Sequence, residues 1–126
     1  MALRVLVVDD NAVSLMLVGR ILGMEGYEML TAESGAEAIR CVEQTPPDLI
    51  IMDVMMPDMD GYELCRRLRQ NPASARLPIF MLTAMSDENE RQRGLAAGAN
   101  DYLGKPFNLE ELRQRVKLLL DNKEPV

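Results

Sequence analysis

The chain has 126 residues, enough for one domain that buries roughly two-thirds of its unfolded surface without disulfide or metal staples. A net charge of −6 with no extended basic block argues against nucleic acid or an anionic membrane as the main partner. The absence of histidine excludes a Ser-His-Asp or Cys-His nucleophile, an imidazole-ligated metal and a phosphohistidine.

No stretch reaches the roughly 18 apolar residues of a membrane span, and Met-Ala-Leu-Arg leads straight into a strand, so a cytoplasmic location is expected. The first strand is expected over Leu3–Val8, ending in Asp9 and Asp10. Asn11 then caps a helix with Leu15, Val18, Leu22 and Leu17, Ile21, Met24 at helical spacing, and Gly26 fits the position just past its end. Tyr27–Thr31 reads as a short strand. Ser34-Gly35-Ala36-Glu37 is a capping box for a second helix with Ala38, Ile39 and Val42 inward. Pro46-Pro47 ends it and turns the chain into the strand Asp48–Met52, an unbroken apolar run that implies cover on both faces.

That run stops at Asp53, because Pro57 cannot continue a ladder and Asp58 to Gly61 is turn chemistry. Asp60-Gly61 opens a third helix with Leu64 and Leu68 inward and Arg66, Arg67 and Arg69 outward, ended by Asn71-Pro72. Ile79–Leu82 is the fourth strand and runs into Thr83-Ala84. Asp87–Ala97 is a fourth helix with a weak apolar face, Leu95 and several alanines, closed by Gly98. Tyr102-Leu103 is a fifth strand leading to Gly104-Lys105-Pro106. Asn108 and Glu111 cap a last helix carrying Leu109, Leu112, Val116 and Leu119. Cys41 and Cys65 fall in helical patterns and read as small buried hydrophobes. The 10 methionines read mostly as core filler.

Five strands alternating with five helices imply an α/β fold, a doubly wound parallel sheet with helices on both faces. In such sheets ligands bind at the carboxyl ends of the strands, where strand order reverses. Asp9, Asp10, Asp53, Thr83 and Lys105 all fall at strand carboxyl ends. Alone, each has a plainer reading: a helix precap, a turn residue, a helix-entry hydroxyl, a solvated loop charge. Together they make an oxygen-rich pocket. Two carboxylates about 4 Å apart repel by roughly 4 kcal/mol at an effective dielectric of 20, so the acids need a cation or a raised pKa. The donor set suits a hard ion such as Mg²⁺, and an aspartate can attack phosphorus. The pocket fits a phosphoryl group on one carboxylate, with Mg²⁺ and Lys105 countering its charge.

Five motifs then carry a resemblance: Val7-Val8-Asp9-Asp10-Asn11, the run Met52 to Gly61, Leu82-Thr83-Ala84, Gly94 through Gly98-Ala99-Asn100-Asp101-Tyr102, and Lys105-Pro106-Phe107. With these the chain resembles a response-regulator receiver domain, CheY-like, over essentially its whole length. The resemblance implies a (βα)5 flavodoxin-like fold with strand order 2-1-3-4-5. It implies a receiver domain over residues 1–121, with 122–126 a tail or linker stub.

It further implies a phosphorylation-dependent switch of a two-component phosphorelay, taking a phosphoryl group from a histidine kinase or phosphotransfer protein. Asp53 would be the phosphoacceptor. Asp10, Asp53 and the backbone carbonyl of Met55 would ligate Mg²⁺, with Asp9 helping directly or through water. Thr83 would hydrogen-bond a phosphoryl oxygen and Lys105 would pair with it, on a cis Lys105-Pro106 bond. Tyr102 matches the switch aromatic, expected to turn inward once Thr83 moves toward the phosphate. Output to a downstream target or effector domain, or to a phosphorylation-dependent homodimer, is expected through the fourth helix, fifth strand and fifth helix.

Three departures stand out: Gly104 where a small polar residue is common, and apolar Met55 and Met85 beside the path of an attacking water. Without an acid or base at Met55, a phosphohydrolase with an aspartyl nucleophile is disfavoured. Slow autodephosphorylation without enzymatic turnover is expected instead. A scaffold that binds partners without phosphorylation is disfavoured by the complete set of site residues.

Overall fold

The computed structural model describes residues 2–85 and 87–121. Five strands, β1 (Arg4–Val8), β2 (Glu28–Ala32), β3 (Leu49–Met52), β4 (Ile79–Thr83) and β5 (Asp101–Gly104), alternate with five helices, α1 (Ala12–Gly23), α2 (Gly35–Gln44), α3 (Gly61–Gln70), α4 (Glu88–Ala97) and α5 (Leu109–Asp121). The strands form one parallel sheet in the order β2-β1-β3-β4-β5. The order reverses between β1 and β3, which pair from Val5 opposite Leu49 to Val8 opposite Met52. This is the expected fold and strand order.

The two-residue period of the strands divides the core. Val5, Val7, Leu49, Ile51, Phe80 and Leu82 face α1 and α5. Leu6, Val8, Ile50, Met52, Ile79 and Met81 face α2, α3 and α4. Both faces of β3 and β4 are covered, so every residue of those two strands is buried.

Helix starts follow the capping chemistry. The side chains of Asn11, Ser34, Asp60 and Asp87 each accept a backbone N–H from the first turn they open. The capping box of α2 closes differently from expectation: the Glu37 carboxylate accepts from Glu33 N–H rather than from Ser34. Helix α1 ends at Gly23, earlier than expected, with Met24 as its cap. Gly26 lies in the following loop at φ +92°, a left-handed conformation that suits glycine. Of the two apolar stripes read on α1, Leu15, Val18 and Leu22 are buried throughout, while in the other only Ile21 is buried and Leu17 and Met24 are exposed. On α5 the buried set is Leu112, Val116 and Leu120, while Leu109 is exposed and Leu119 partly covered. The tail at 122–126 lies outside the described residues.

Arg69 is the largest departure. Read as outward, it instead lies half-buried, and its guanidinium donates to the carbonyls of Gly98, Ser74, Ala75 and Leu77 and to Asn100 Oδ1, at 2.6–3.3 Å. Gly98, at φ +116°, leaves room for the stem: a Cβ there would lie 2.8 Å from Arg69 Cγ. Helical period places residue 69 on the flank of the buried stripe, where a long stem can run along the core and send its head to loop carbonyls.

Candidate functional site

The ladder continues one residue past three of the strands, and this sets the site. Asp9 N–H donates to Ala32 O at 3.1 Å, Asp53 N–H to Val8 O at 3.0 Å, and Lys105 N–H to Thr83 O at 2.8 Å. Asp9, Asp53 and Lys105 are thereby held in register at the carboxyl edge of the sheet, with Asp9 and Asp53 on the two sides of the switch point. Lys105-Pro106 is cis, as expected. The Lys105 ammonium donates to Asp9 Oδ2 at 2.9 Å and to Asp53 Oδ2 at 3.2 Å, and lies 3.5 Å from Ser14 Oγ.

Each of the two carboxylates divides its oxygens in the same way. Asp9 Oδ1 accepts from Asn11 N–H at 2.9 Å, and Asp53 Oδ1 from Met55 N–H at 3.2 Å. The other oxygen of each meets Lys105. The cation required to offset the repulsion between these acids is, within the protein itself, the lysine. Burial acts to depress the Lys105 pKa, but the Asp9 hydrogen bond and the charges of Asp53 and Asp9 outweigh it and hold the ammonium above the ordinary lysine value.

A cleft of about 370 Å³ opens over these groups, lined by Asp9, Asp10, Asn11, Ser14, Asp53, Met55, Met56, Pro57 and Lys105. Asp10 stands exposed at this cleft, while Asp9 is buried and Asp53 half-buried. The three acids line one cleft, but among the described residues no three acidic, histidine or cysteine side chains are grouped as a metal cage. The donor set still suits Mg²⁺, which typically takes one or two carboxylates and completes its shell with waters and phosphate oxygens.

The β3–α3 loop is pinned from two sides. Asp58 accepts from Gly35 and Ala36 N–H, both at 2.9 Å, which ties the loop to the start of α2. Those backbone hydrogen bonds hold the Asp58 carboxyl below the usual range. Gly61 N–H donates to Val54 O at 2.7 Å, and a Cβ on Gly61 would fall 2.6 Å from Asp53 O. Only glycine lets α3 begin this close to the Asp53 backbone. Asp58, Gly61, Asn11 and Ser14 were not singled out as site residues. Ser14 had a readable signal, one helical turn beyond Asp10.

Thr83 and Tyr102 stand apart from the cleft. Thr83 is fully buried at the end of β4, and its Oγ1 accepts from Met85 N–H at 3.2 Å. Tyr102 points inward, and its hydroxyl donates to Met85 O and lies 3.4 Å from Tyr62 Oη. The expected coupling has the ring turn inward as Thr83 moves toward a phosphate. Here it is inward while the Thr83 hydroxyl engages the β4–α4 loop.

A doubly wound parallel sheet with an acid–lysine pocket at its switch point is the architecture of CheY-like signalling modules. The response regulator receiver domain model matches residues 5–117, and the chain belongs to that family of two-component signal transduction. The phosphate regulon transcriptional regulatory protein PhoB of Rhizobium meliloti (strain 1021) is 48% identical over 122 residues, which cover 97% of this chain and 54% of PhoB. The chain spans about half the length of the curated relatives it matches. The chemotaxis response regulator CheY4 of Vibrio cholerae shares the structure with a TM-score of 0.89 at 36% identity, over 94% of this chain and 99% of CheY4. The receiver domain of sensor histidine kinase PA1611 from Pseudomonas aeruginosa PAO1, solved with a magnesium ion coordinated in its active-site cleft, gives a TM-score of 0.89 at 34% identity, over 97% of this chain and 100% of that one. Among the described residues, no helix is long and apolar enough to cross a membrane.

Proposed function

We propose that this receiver domain, residues 1–121, is a cytoplasmic phosphorylation switch whose phosphoacceptor is Asp53, with 122–126 as tail or linker. The observation that carries the reading is Lys105 bridging Asp9 and Asp53 at the switch point, where the carboxyl ends of β1, β3 and β5 bring their charged groups together. A carboxylate oxygen of Asp53 forms the new O–P bond. The bond from phosphorus to the donor breaks, and the donor leaves with the electron pair. The donor is a histidine kinase or a phosphotransfer protein. Asp10, Asp53, Asp9 and the Met55 carbonyl would hold Mg²⁺, which supplies positive charge against the phosphoryl oxygens.

Lys105 pairs with one phosphoryl oxygen and the Thr83 hydroxyl donates to another, leaving Met85 N–H to rearrange. Tyr102 transmits this to α4, β5 and α5, the face offered to a target, an effector domain or a second copy. The domain promotes its own phosphotransfer but does not turn over as an enzyme. Met55, exposed beside Asp53, offers no proton acceptor for water, so autodephosphorylation is slow.

Incubation with acetyl phosphate and Mg²⁺ should add one base-labile, hydroxylamine-sensitive phosphoryl group, read by mass spectrometry. Asp53→Asn should abolish it, and chelation of Mg²⁺ should reduce it strongly. Equal labelling of Asp53→Asn would remove Asp53 from the assignment.

A further inference from the structure

Helix α4 buries only Gly94 and Ala97, too little apolar surface to fix its position alone. Polar contacts with α3 take over. At the C-terminal end, the Cys65 thiol donates to Ala97 O at 3.3 Å and Arg69 donates to Gly98 O. Nearer the N-terminal end a single side chain makes the link. The Tyr62 hydroxyl, on a ring only 1% exposed, donates to the Glu90 carboxylate and lies 3.2 Å from Glu90 O. Arg93, one turn further along α4, stacks on the Tyr62 ring at 4.4 Å from its centroid and reaches Glu90 Oε1 at 3.4 Å. On its other side the Tyr62 hydroxyl meets Tyr102 Oη. The Tyr102 ring fits against α4 because residue 94 is glycine: a Cβ there would lie 2.7 Å from Tyr102 Cδ2 and 2.9 Å from Met81 Sδ.

We infer that Tyr62 and Glu90 form a latch that clamps the N-terminal half of α4 to α3 and holds Tyr102 inward. The hydroxyl of the inward tyrosine donates to Met85 O and packs 3.4 Å from Tyr62 Oη, and both contacts lie outside the acidic cleft. The latch therefore sets how much of the α4 rearrangement is already made before the cleft acts on it. Tyr62 is a positioning residue: it touches no atom of the phosphoryl site. Removing its hydroxyl leaves the ring, its packing and the cation–π contact, and takes away only the bond to Glu90 and the hydroxyl contact with Tyr102. Helix α4 should then open more often, and Tyr102 should spend time outside.

The experiment uses the full chain in two arms. In the first, without any phosphate mimic, amide hydrogen exchange is followed in α4 and in α1 for the native protein, Tyr62→Phe, Glu90→Ala, Glu90→Gln and the Tyr62→Phe/Glu90→Ala double variant. The latch requires about tenfold faster exchange within α4 for Tyr62→Phe and Glu90→Ala, unchanged α1, no further gain in the double variant, and partial rescue by Glu90→Gln, whose amide oxygen still accepts. In the second arm, 3-fluorotyrosine is incorporated. With only 3 tyrosines, the Tyr102 resonance is assigned by its loss in Tyr102→Phe. Tyr62→Phe should shift that resonance, and beryllofluoride with Mg²⁺ should move it further in Tyr62→Phe than in the native protein. Exchange in α4 changed by less than twofold, additive variants, or equal acceleration in α1 would overturn the latch. The beryllofluoride comparison alone rests on the phospho-switch reading. A native protein blind to beryllofluoride would defeat that reading, while the first arm would still decide the latch.

Discussion

Helices α3 and α4 are both ten residues long, and both are opened by an aspartate that accepts the N–H of a glutamate three residues on. They are attached to the same side of the sheet by different physics. Helix α3 buries Tyr62, Leu64, Cys65 and Leu68, with Gly61 closing on the Asp53 backbone. Helix α4 hangs from α3 by directional bonds: Tyr62 to Glu90, Cys65 to Ala97 O, Arg69 to Gly98 O. Apolar burial is non-directional and is lost only when the core opens. A few hydrogen bonds, each contributing about 0.5–1.5 kcal/mol net, can be exchanged for others at small cost. The helix next to Asp53 is built to stay, and the helix beyond it is built to shift.

The sharpest way to break the contrast is through the core. Leu64 is fully buried, so Leu64→Ala should cost about 2–5 kcal/mol in urea unfolding. Its counterpart Leu95 is only partly covered, and Leu95→Ala should cost under about 1 kcal/mol. Comparable losses for the two would erase the distinction. Arg69→Met should come next. It keeps most of the buried stem but removes the guanidinium donor from Gly98 O and Leu77 O, for a loss of about 2–3 kcal/mol. Hydrogen exchange should show the damage concentrated where α4 enters β5.

The caps give a smaller and more discriminating test. Asp60→Ala and Asp87→Ala each remove one side-chain cap, at about 1 kcal/mol of helix stability. Because α3 is tied to the core, Asp60→Ala should appear in global unfolding. Asp87→Ala should appear instead as local fraying of α4, with little change in the urea midpoint. The last effect is one of pH. Burial pushes the Cys65 thiol up to about 11 from 9.0. A raised value means the folded state holds the proton more tightly. The contribution is therefore fully present below about pH 9 and is lost as pH rises through about 11. Native protein should lose more stability than Cys65→Ala between pH 8 and 10.5, by roughly 1 kcal/mol or more, and matching slopes would show that the thiol does not titrate on unfolding.

Much of this site could be read without coordinates. Strands ending in Asp9, Asp53, Thr83 and Lys105 must bring those residues to one sheet edge once the alternation implies parallel strands, and the ladder bonds at Asp9, Asp53 and Lys105 show why. Arg69 was misread because helical period reports direction from the axis. It does not report the reach of a long stem toward carbonyls of the β4 and α4 loops. Leu17 and Met24 show the converse: α1 is apolar almost all round, and period alone does not say which of its apolar residues meet the sheet.

Local chemistry thus determined the elements, their caps and the strand ends where charge collects, since each depends on residues a few positions apart. Only the tertiary structure decided that Lys105 bridges Asp9 and Asp53, that Asp58 caps a helix 22 residues upstream, and that Tyr62 joins Glu90 and Tyr102. Those contacts depend on register between distant segments, and a hydrogen bond, unlike an apolar pattern, leaves no period in the chain from which it could be read.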